Sequence, residues 1–165
     1  MARVLIVGGG CRGRQLARSL LADGHAVRIS TREERGRAAI EACGAECWVG
    51  TPDRLASMRG ALEGVSILCW LLAGATGSPE ALRELHTARL RFFLTQAIDT
   101  TVRGVVYETG TNPQSPAFLD GEPIAREVLE RNAIPAEYLD AEPSDIDAWR
   151  AQARDAIDSL LMRGT

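Results

Sequence analysis

A glycine-rich segment near the start of the chain is the part of the sequence best suited to chemistry. Residues Gly8–Gly13, GGGCRG, place glycines in the order G-x-G-x-x-G between a short apolar run and a helical pattern. Such a loop presents unpaired N–H groups and the positive end of a helix dipole to an anion. Gly8 would make the tight turn, Gly10 would admit a pyrophosphate, and Gly13 would let the helix pack closely. We predict a dinucleotide site whose pyrophosphate is surrounded by Gly8, Gly10, Cys11, Arg12 and Gly13; the alternative is a glycine turn that binds nothing.

The end of the second apolar segment indicates which dinucleotide the loop would bind. Sites for NAD usually carry Asp or Glu about 20 residues after the glycines, to accept hydrogen bonds from the ribose 2′-hydroxyl. This segment ends instead in Thr31 and Arg32, and it carries no carboxylate from Ala26 up to Glu33. A hydroxyl beside a guanidinium suits a 2′-phosphate, to which Arg35 and Arg37 would add charge. We predict NADP, with Thr31 and Arg32 on its 2′-phosphate; the alternative is NAD, with Arg32 simply solvated.

The basic residues exclude several kinds of catalysis. The chain has 19 of them against 22 acidic residues, and every one of the 19 is arginine. Arginine stays protonated at any working pH, whereas a buried lysine can lose its proton. Schiff-base chemistry, a lysine general base, a phosphate-loop lysine and a Tyr-x-x-x-Lys pair are therefore all excluded.

No residue stands out as a catalytic group, so the catalytic residues stay unknown. Tyr107 lies within a strand pattern and is interpreted as a packed aromatic, and Glu108 beside it as a solvated or hydrogen-bonded carboxylate. His86 is interpreted as a surface or interface residue of a helix, and His25 follows a helix-ending glycine. Cys11 at a helix N-terminus is a hypothetical redox-sensitive thiol.

Composition limits which kinds of binding partner and which cellular compartment we expect for this protein. A formal charge of −3 favours neither nucleic acid nor an anionic membrane. The longest apolar stretch, Val65–Ala75, is too short to cross a bilayer, and the N-terminus does not resemble a signal peptide. The four cysteines form no CxxC pair and have no nearby histidine, so we expect no metal site, reduced thiols and a cytoplasmic location.

Six strand-like segments alternate with helical ones, which predicts βαβ units and a parallel sheet. The expected product is an α/β, doubly wound, six-stranded Rossmann fold: a single three-layer domain over residues 1–165. The predicted strands are Arg3–Val7, Ala26–Ser30, Glu46–Val49, Val65–Leu72, Val102–Tyr107 and Ile134–Leu139. The later helices are predicted over Pro79–Ile98, over Glu122–Asn132 and after a Ser144 cap. Ligands of such sheets lie outside the carboxyl ends of the strands, which places Leu72, Ala73 and Gly74 beside the ribose and the 72–75 and 108–111 segments near a nicotinamide.

Several segments together resemble the atypical short-chain dehydrogenase/reductases, which are NAD(P)-binding Rossmann proteins. The segments are Val4–Leu16, Gly24–Arg28, Ser30–Arg32, Ala61–Val65, Val105–Tyr107 and Ala125–Pro135. The resemblance implies that Thr51, with Asp53 close by, stands where relatives carry an aspartate that helps to hold adenine. The sequence also departs from these relatives. Tyr107 is followed four residues later by Thr111 rather than lysine, and we expect no substrate part of the usual kind after the sixth strand, since the pattern there predicts a single helix.

Two functions of different classes remain open. The chain is either a small NADP-dependent reductase that acts on a small-molecule substrate, or a non-catalytic NADP(H)-binding sensor or interaction protein. A third interpretation is a homodimer in which one face of the Pro79–Ile98 helix contacts a second copy; the alternative is that this face is ordinary core. That face carries Leu82, Leu85, Phe92, Phe93 and Ala97.

Overall fold

The computed structural model, which describes residues 1–109 and 117–164, contains the predicted parallel sheet. Its strands are β1 (Arg3–Gly8), β2 (Ala26–Thr31), β3 (Glu46–Val49), β4 (Ile67–Leu71), β5 (Gly104–Glu108) and β6 (Ala136–Leu139). Every pairing is parallel, and the order across the sheet is β3-β2-β1-β4-β5-β6. The direction of winding reverses between β1 and β4, so the carboxyl ends of these strands flank a crevice. The six-stranded Rossmann fold is confirmed.

Helices cover both faces of this sheet. They are α1 (Gly10–Ala22), α2 (Arg37–Ala42), α3 (Leu55–Met58), α4 (Pro79–Glu84), α5 (Leu90–Ile98), α6 (Ala117–Arg131) and α7 (Ile146–Arg163). On one face α1 and α7 enclose an apolar cluster that includes Leu16, Leu20, Trp149 and Ile157. On the other face α5 and α6 enclose a second cluster, and the central strands β4 and β5 are buried throughout. Such double burial explains the nearly continuous apolar character of β4.

The strand ends differ from the prediction by at most two residues, and the helices differ more. The expected Pro79–Ile98 helix is interrupted by a π-helical turn over Leu85–Arg89. The helix predicted from Glu122 begins at Ala117. The added turn contains Gly121, where the helix passes close to Tyr107. A Cβ at position 121 would lie 2.2 Å from the Tyr107 hydroxyl oxygen, so only glycine fits there. The cap of α7 is Asp145 rather than Ser144, and its carboxylate accepts a hydrogen bond from the Ala148 N–H.

The helical face that the sequence left open, as a contact with a second copy or as ordinary core, is mostly core. Leu85, Phe93 and Ala97 are buried against the sheet, Leu82 is half-buried, and Phe92 alone among the five is exposed, at 55%. A single exposed aromatic is ordinary for a protein surface and indicates no interface. Within the part of the chain that the structure describes, no helix is both long and apolar enough to cross a membrane.

Candidate functional site

A cleft of about 470 Å³ opens at the carboxyl edge of the sheet, where the winding reverses between β1 and β4. The glycine loop and the start of α1 form its centre, the ends of β2 and β3 form one end, and the segment after β4 forms the other. Of the predicted site residues, Gly8, Gly10, Arg12, Thr31, Arg32, Thr51, Leu72 and Gly74 line it. The structure therefore brings together residues that lie up to 66 positions apart in the sequence.

The glycines of the loop have distinct geometries. Gly8 adopts the left-handed region at φ +84°, and a Cβ there would lie 2.6 Å from the Leu71 carbonyl oxygen. A Cβ on Gly13 would approach the Gly8 carbonyl oxygen to 3.0 Å, so α1 packs tightly on β1. Gly10 differs, because a Cβ there would meet no atom within 4 Å and would project into open space. The loop therefore has a crowded side against the sheet and an open side toward the cleft.

Among the residues that the structure describes, three arginines and one carboxylate face the cleft, which gives this lining a positive balance. Arg12 and Arg14 lie in the first two turns of α1, whose first turn has no acidic residue, and Arg32 and Asp53 lie at the end of the cleft formed by β2 and β3. A positive side chain near a helix N-terminus opposes the helix dipole, so two of them there suit a bound anion. Arg14 was not among the residues predicted from the sequence. No carboxylate of residues 1–109 and 117–164 pairs with it, and its place near the start of α1 was the signal that could have identified it.

The ends of β2 and β3 meet through an ion pair. The Arg32 guanidinium lies 2.9 Å from the Asp53 carboxylate, and the Thr51 hydroxyl donates to that carboxylate over 3.3 Å. The Thr31 hydroxyl, at the end of β2, donates a hydrogen bond to the Glu33 carbonyl oxygen. Arg32 is 64% exposed on its side chain, so it remains accessible to a ligand.

The two further arginines that were expected to add charge are occupied elsewhere. Arg35 pairs with Glu33 over 2.6 Å, and Arg37 pairs with Glu34 and Glu41 on α2. Neither Arg35 nor Arg37 lines the cleft. The positive charge at this end therefore comes from Arg32.

The other end of the cleft rests on a buried carboxylate. Glu108, at the end of β5, accepts hydrogen bonds from the Ala73 N–H at 3.1 Å, the Trp149 indole N–H at 2.7 Å and Arg12 at 3.1 Å. Glu108 is therefore the hydrogen-bonded carboxylate of our two interpretations and not the solvated one, since it is only 4% exposed. Ala73 itself is buried and lies behind the cleft wall.

Two other predicted residues lie off the cleft wall. Gly13 packs α1 on β1, and the exposed Cys11 thiol accepts a weak hydrogen bond from the Gln15 amide at 3.8 Å. Gly110 and Thr111, predicted to lie near a nicotinamide, fall outside the described residues. In the described chain no three His, Cys, Asp or Glu side chains come together in a way that could hold a metal ion.

Tyr107 and His86 are both buried behind the cleft. Burial, with smaller effects from neighbouring acidic groups, raises the pKa of Tyr107 well above its ordinary value, so the phenol keeps its proton. Its ring packs 6.2 Å from that of Tyr138, as a packed strand aromatic should. The prediction for His86 is wrong: it is 1% exposed, because the π-helical turn directs it into the protein.

Burial of His86 predicts a loss of stability in acid. Desolvation lowers its pKa from 6.5 to about 4, so the unfolded chain takes up this proton first. The free energy of unfolding should therefore fall as the pH drops from about 6.5 to 4, by at most about 3 kcal/mol. Urea unfolding at pH 7 and pH 5 measures this. We expect the fall to be smaller in His86→Leu and unchanged in His25→Leu; an equal fall in all three proteins would contradict the prediction.

Known structures share this fold. A short-chain dehydrogenase/reductase superfamily protein from Agrobacterium tumefaciens with bound NAD matches with a TM-score of 0.68 and 21% identity. Vestitone reductase from alfalfa (Medicago sativa) matches at 0.66 and 17%, and an NADPH-dependent quinone oxidoreductase from Escherichia coli at 0.60 and 17%. The matches cover 82%, 84% and 82% of this chain and 48%, 56% and 46% of those chains, respectively. No protein-family model and no curated protein matches the sequence.

The chain thus spans about half the length of these structures. At 21% identity or less, the likeness shows the fold alone, which is a doubly wound parallel Rossmann sheet. The resemblance noted in the sequence is confirmed at that level.

Proposed function

We propose that this Rossmann chain is an atypical short-chain dehydrogenase/reductase relative that binds NADP(H) in the cleft between β1 and β4. The observation that carries the proposal is the glycine loop, whose open side faces a cleft with Arg32 at the far end. The cleft volume lies within the range of small-molecule and cofactor sites. Its positive balance suits a ligand with several phosphate charges.

The residues that line the cleft fit the parts of a dinucleotide phosphate. Backbone N–H groups at the start of α1, together with Arg12, would hold the pyrophosphate, and Gly10 would leave room for it. Thr31 and Arg32 would hold the 2′-phosphate, since a guanidinium binds phosphate through two parallel donors. The remaining assignments are Gly8, Cys11 and Gly13 in the phosphate loop, Thr51 at the adenine, and Leu72, Ala73 and Gly74 beside the ribose.

The preference for NADP over NAD is supported by charge at the end of β2. Arg32 follows Thr31 directly, and the nearest carboxylate at the cleft, Asp53, is itself paired with Arg32. A ribose 2′-hydroxyl would therefore find no free carboxylate among the described lining residues, whereas a 2′-phosphate would find a guanidinium. NAD remains the alternative cofactor.

Whether the bound cofactor reacts separates two functions. NADPH supplies a hydride when it is bound, and a reductase needs the protein only to orient a substrate and deliver a proton. Tyr107 is a poor proton donor, because burial raises its pKa, and the sequence has no lysine to assist it. This favours a non-catalytic sensor or interaction protein slightly, while the likeness to reductases favours a small reductase acting on a small molecule. The four free cysteines support a reducing, cytoplasmic location in either case.

Binding and turnover measurements test the proposal. We expect NADPH to quench the protein's tryptophan fluorescence in a saturable titration and to bind at least about 10-fold more tightly than NADH, a difference of about 1.4 kcal/mol. Failure to bind either nucleotide would overturn the proposal. Oxidation of NADPH across a panel of quinones, flavins and carbonyls then decides between the two functions. Turnover with any of them excludes the sensor, and tight binding without turnover supports it.

A further inference from the structure

We infer that Glu108 and Trp149 are positioning residues that hold Arg12 in the wall of the cleft, so that α7 sets the affinity for the dinucleotide. The inference rests on the proposed function, and it assigns to the site two residues that do not themselves line the cleft. Of the three, only Arg12 does.

The three side chains form one closed cluster. The Trp149 indole N–H donates to the Glu108 carboxylate over 2.7 Å, and the same carboxylate oxygen accepts from Arg12 over 3.1 Å. The Arg12 guanidinium carbon also lies 4.9 Å from the centre of the Trp149 ring. Trp149 therefore restrains Arg12 twice, through the shared carboxylate and through the face of its ring.

The cluster connects the cleft to parts of the fold that are distant in sequence. Arg12 lies in the first turn of α1, Glu108 ends β5, and Trp149 lies in the first turn of α7. The other oxygen of Glu108 accepts from the Ala73 N–H, in the segment after β4. A second guanidinium nitrogen of Arg12 lies near the same segment: a Cβ built on Gly74 would be 3.4 Å from that nitrogen. One carboxylate thus fixes both the phosphate loop and the opposite wall of the cleft.

Stability alone does not account for this arrangement. Glu108 is 3% and Arg12 17% exposed on their side chains, and a buried ion pair seldom repays the cost of removing both charges from water. An apolar pair of similar size would fill the space at least as well. What the ion pair adds is a fixed direction for a guanidinium, which has donors to spare after one bond to Glu108. That direction is useful only if a ligand accepts from the guanidinium at the cleft wall.

A double-mutant cycle on the whole chain tests the inference. Trp149→Phe removes the indole N–H but keeps an aromatic ring, and we expect it to weaken NADPH binding about 5- to 10-fold, as the loss of one typical hydrogen bond would. In an Arg12→Leu background the same substitution should change the dissociation constant less than about 2-fold, since nothing remains to be positioned. The factor should be equal for NADH, because both nucleotides carry the pyrophosphate.

Trp70→Phe is the matched control. Trp70 is also fully buried, but it lies on β4 against the other apolar cluster, and its indole N–H has no hydrogen-bond partner in the described chain. We expect this substitution to leave the dissociation constant unchanged. Glu108→Gln provides a second cycle with Arg12→Leu, should Trp149→Phe fail to fold in a thermal melt.

The outcomes separate the two proposals. Weakening by Trp149→Phe or Glu108→Gln that disappears in the Arg12→Leu background supports the positioning role. Unchanged binding, or weakening that persists fully without Arg12, overturns that role while the proposed function stands. If the unaltered chain binds neither NADPH nor NADH, the proposed function fails, and the inference fails with it.

Discussion

Gly10→Asn is expected to weaken NADPH binding by about 100-fold or more, which corresponds to about 2.7 kcal/mol. The main chain of Gly10 has φ +53°, a conformation that asparagine tolerates better than most residues, so the loop should keep its shape. In the free protein a Cβ at this position would meet no atom within 4 Å, so the new side chain should not disturb the fold. It would instead occupy the space through which a pyrophosphate approaches the backbone. Fluorescence titration with NADPH measures the loss.

Gly24→Asn is the matched control for this substitution. Gly24 also has a positive φ, +85°, and a Cβ on it would likewise meet nothing within 4 Å. It follows the opposite end of α1, about 20 Å from the phosphate loop at 1.5 Å per residue. Both variants should therefore lose similar, small amounts of thermal stability, and only Gly10→Asn should lose the nucleotide. If NADPH bound Gly10→Asn as tightly as the unaltered chain, the cleft would not be the dinucleotide site.

Arg32→Asp should have the second largest effect, on the choice of cofactor. The guanidinium provides the positive charge at the end of β2, and its replacement would set two carboxylates, at positions 32 and 53, against a 2′-phosphate. We expect NADPH to bind about 100-fold more weakly and NADH to change by less than about 3-fold, because charge-assisted bonds to phosphate are strong and a ribose hydroxyl needs no cation. Parallel titrations with the two nucleotides measure the ratio.

Two further variants make the Arg32 result specific. Arg18→Asp makes the same change of net charge on an exposed residue of α1 outside the cleft, and it should alter NADPH binding less than about 3-fold, because a distant exposed charge is screened. Asp53→Asn removes the carboxylate that competes for Arg32 and should tighten NADPH binding about 3- to 10-fold. If Arg32→Asp left NADPH binding intact, NADP would be the wrong assignment.

The fold could be predicted almost entirely from the sequence, because its signals are local. Apolar runs of strand length alternate with helical periodicity, and parallel strands joined by helices allow few topologies. The π-helical turn at Leu85–Arg89 and the early start of α6 could not be predicted. Both depend on how a helix packs against the sheet: His86 is buried there, and Gly121 lies over Tyr107.

The residues of the candidate site likewise fall into those with a local sequence signal and those that depend on tertiary contacts. The glycine loop, Thr31 and Arg32 were recognisable because their spacing follows from the chain's path through one βαβ unit. Arg14 was missed, although a basic residue near the start of a helix opposes the helix dipole and could have indicated it. The pairing of Arg32 with Asp53 joins the ends of two different strands, so nothing in the local sequence of either one predicts it.

The sequence by itself thus determined the Rossmann fold and predicted a phosphate-binding loop that relies on backbone N–H groups and arginine. It also excluded any mechanism that needs a lysine from these 165 residues. Those conclusions depend on residue types and short spacings, which the order of the chain fixes. Only the tertiary structure decided which arginines face the cleft and which form ion pairs on the surface. It alone joined Arg12, Glu108 and Trp149, which are 41 to 137 positions apart, because contacts between distant side chains exist only once the sheet and its helices are packed together.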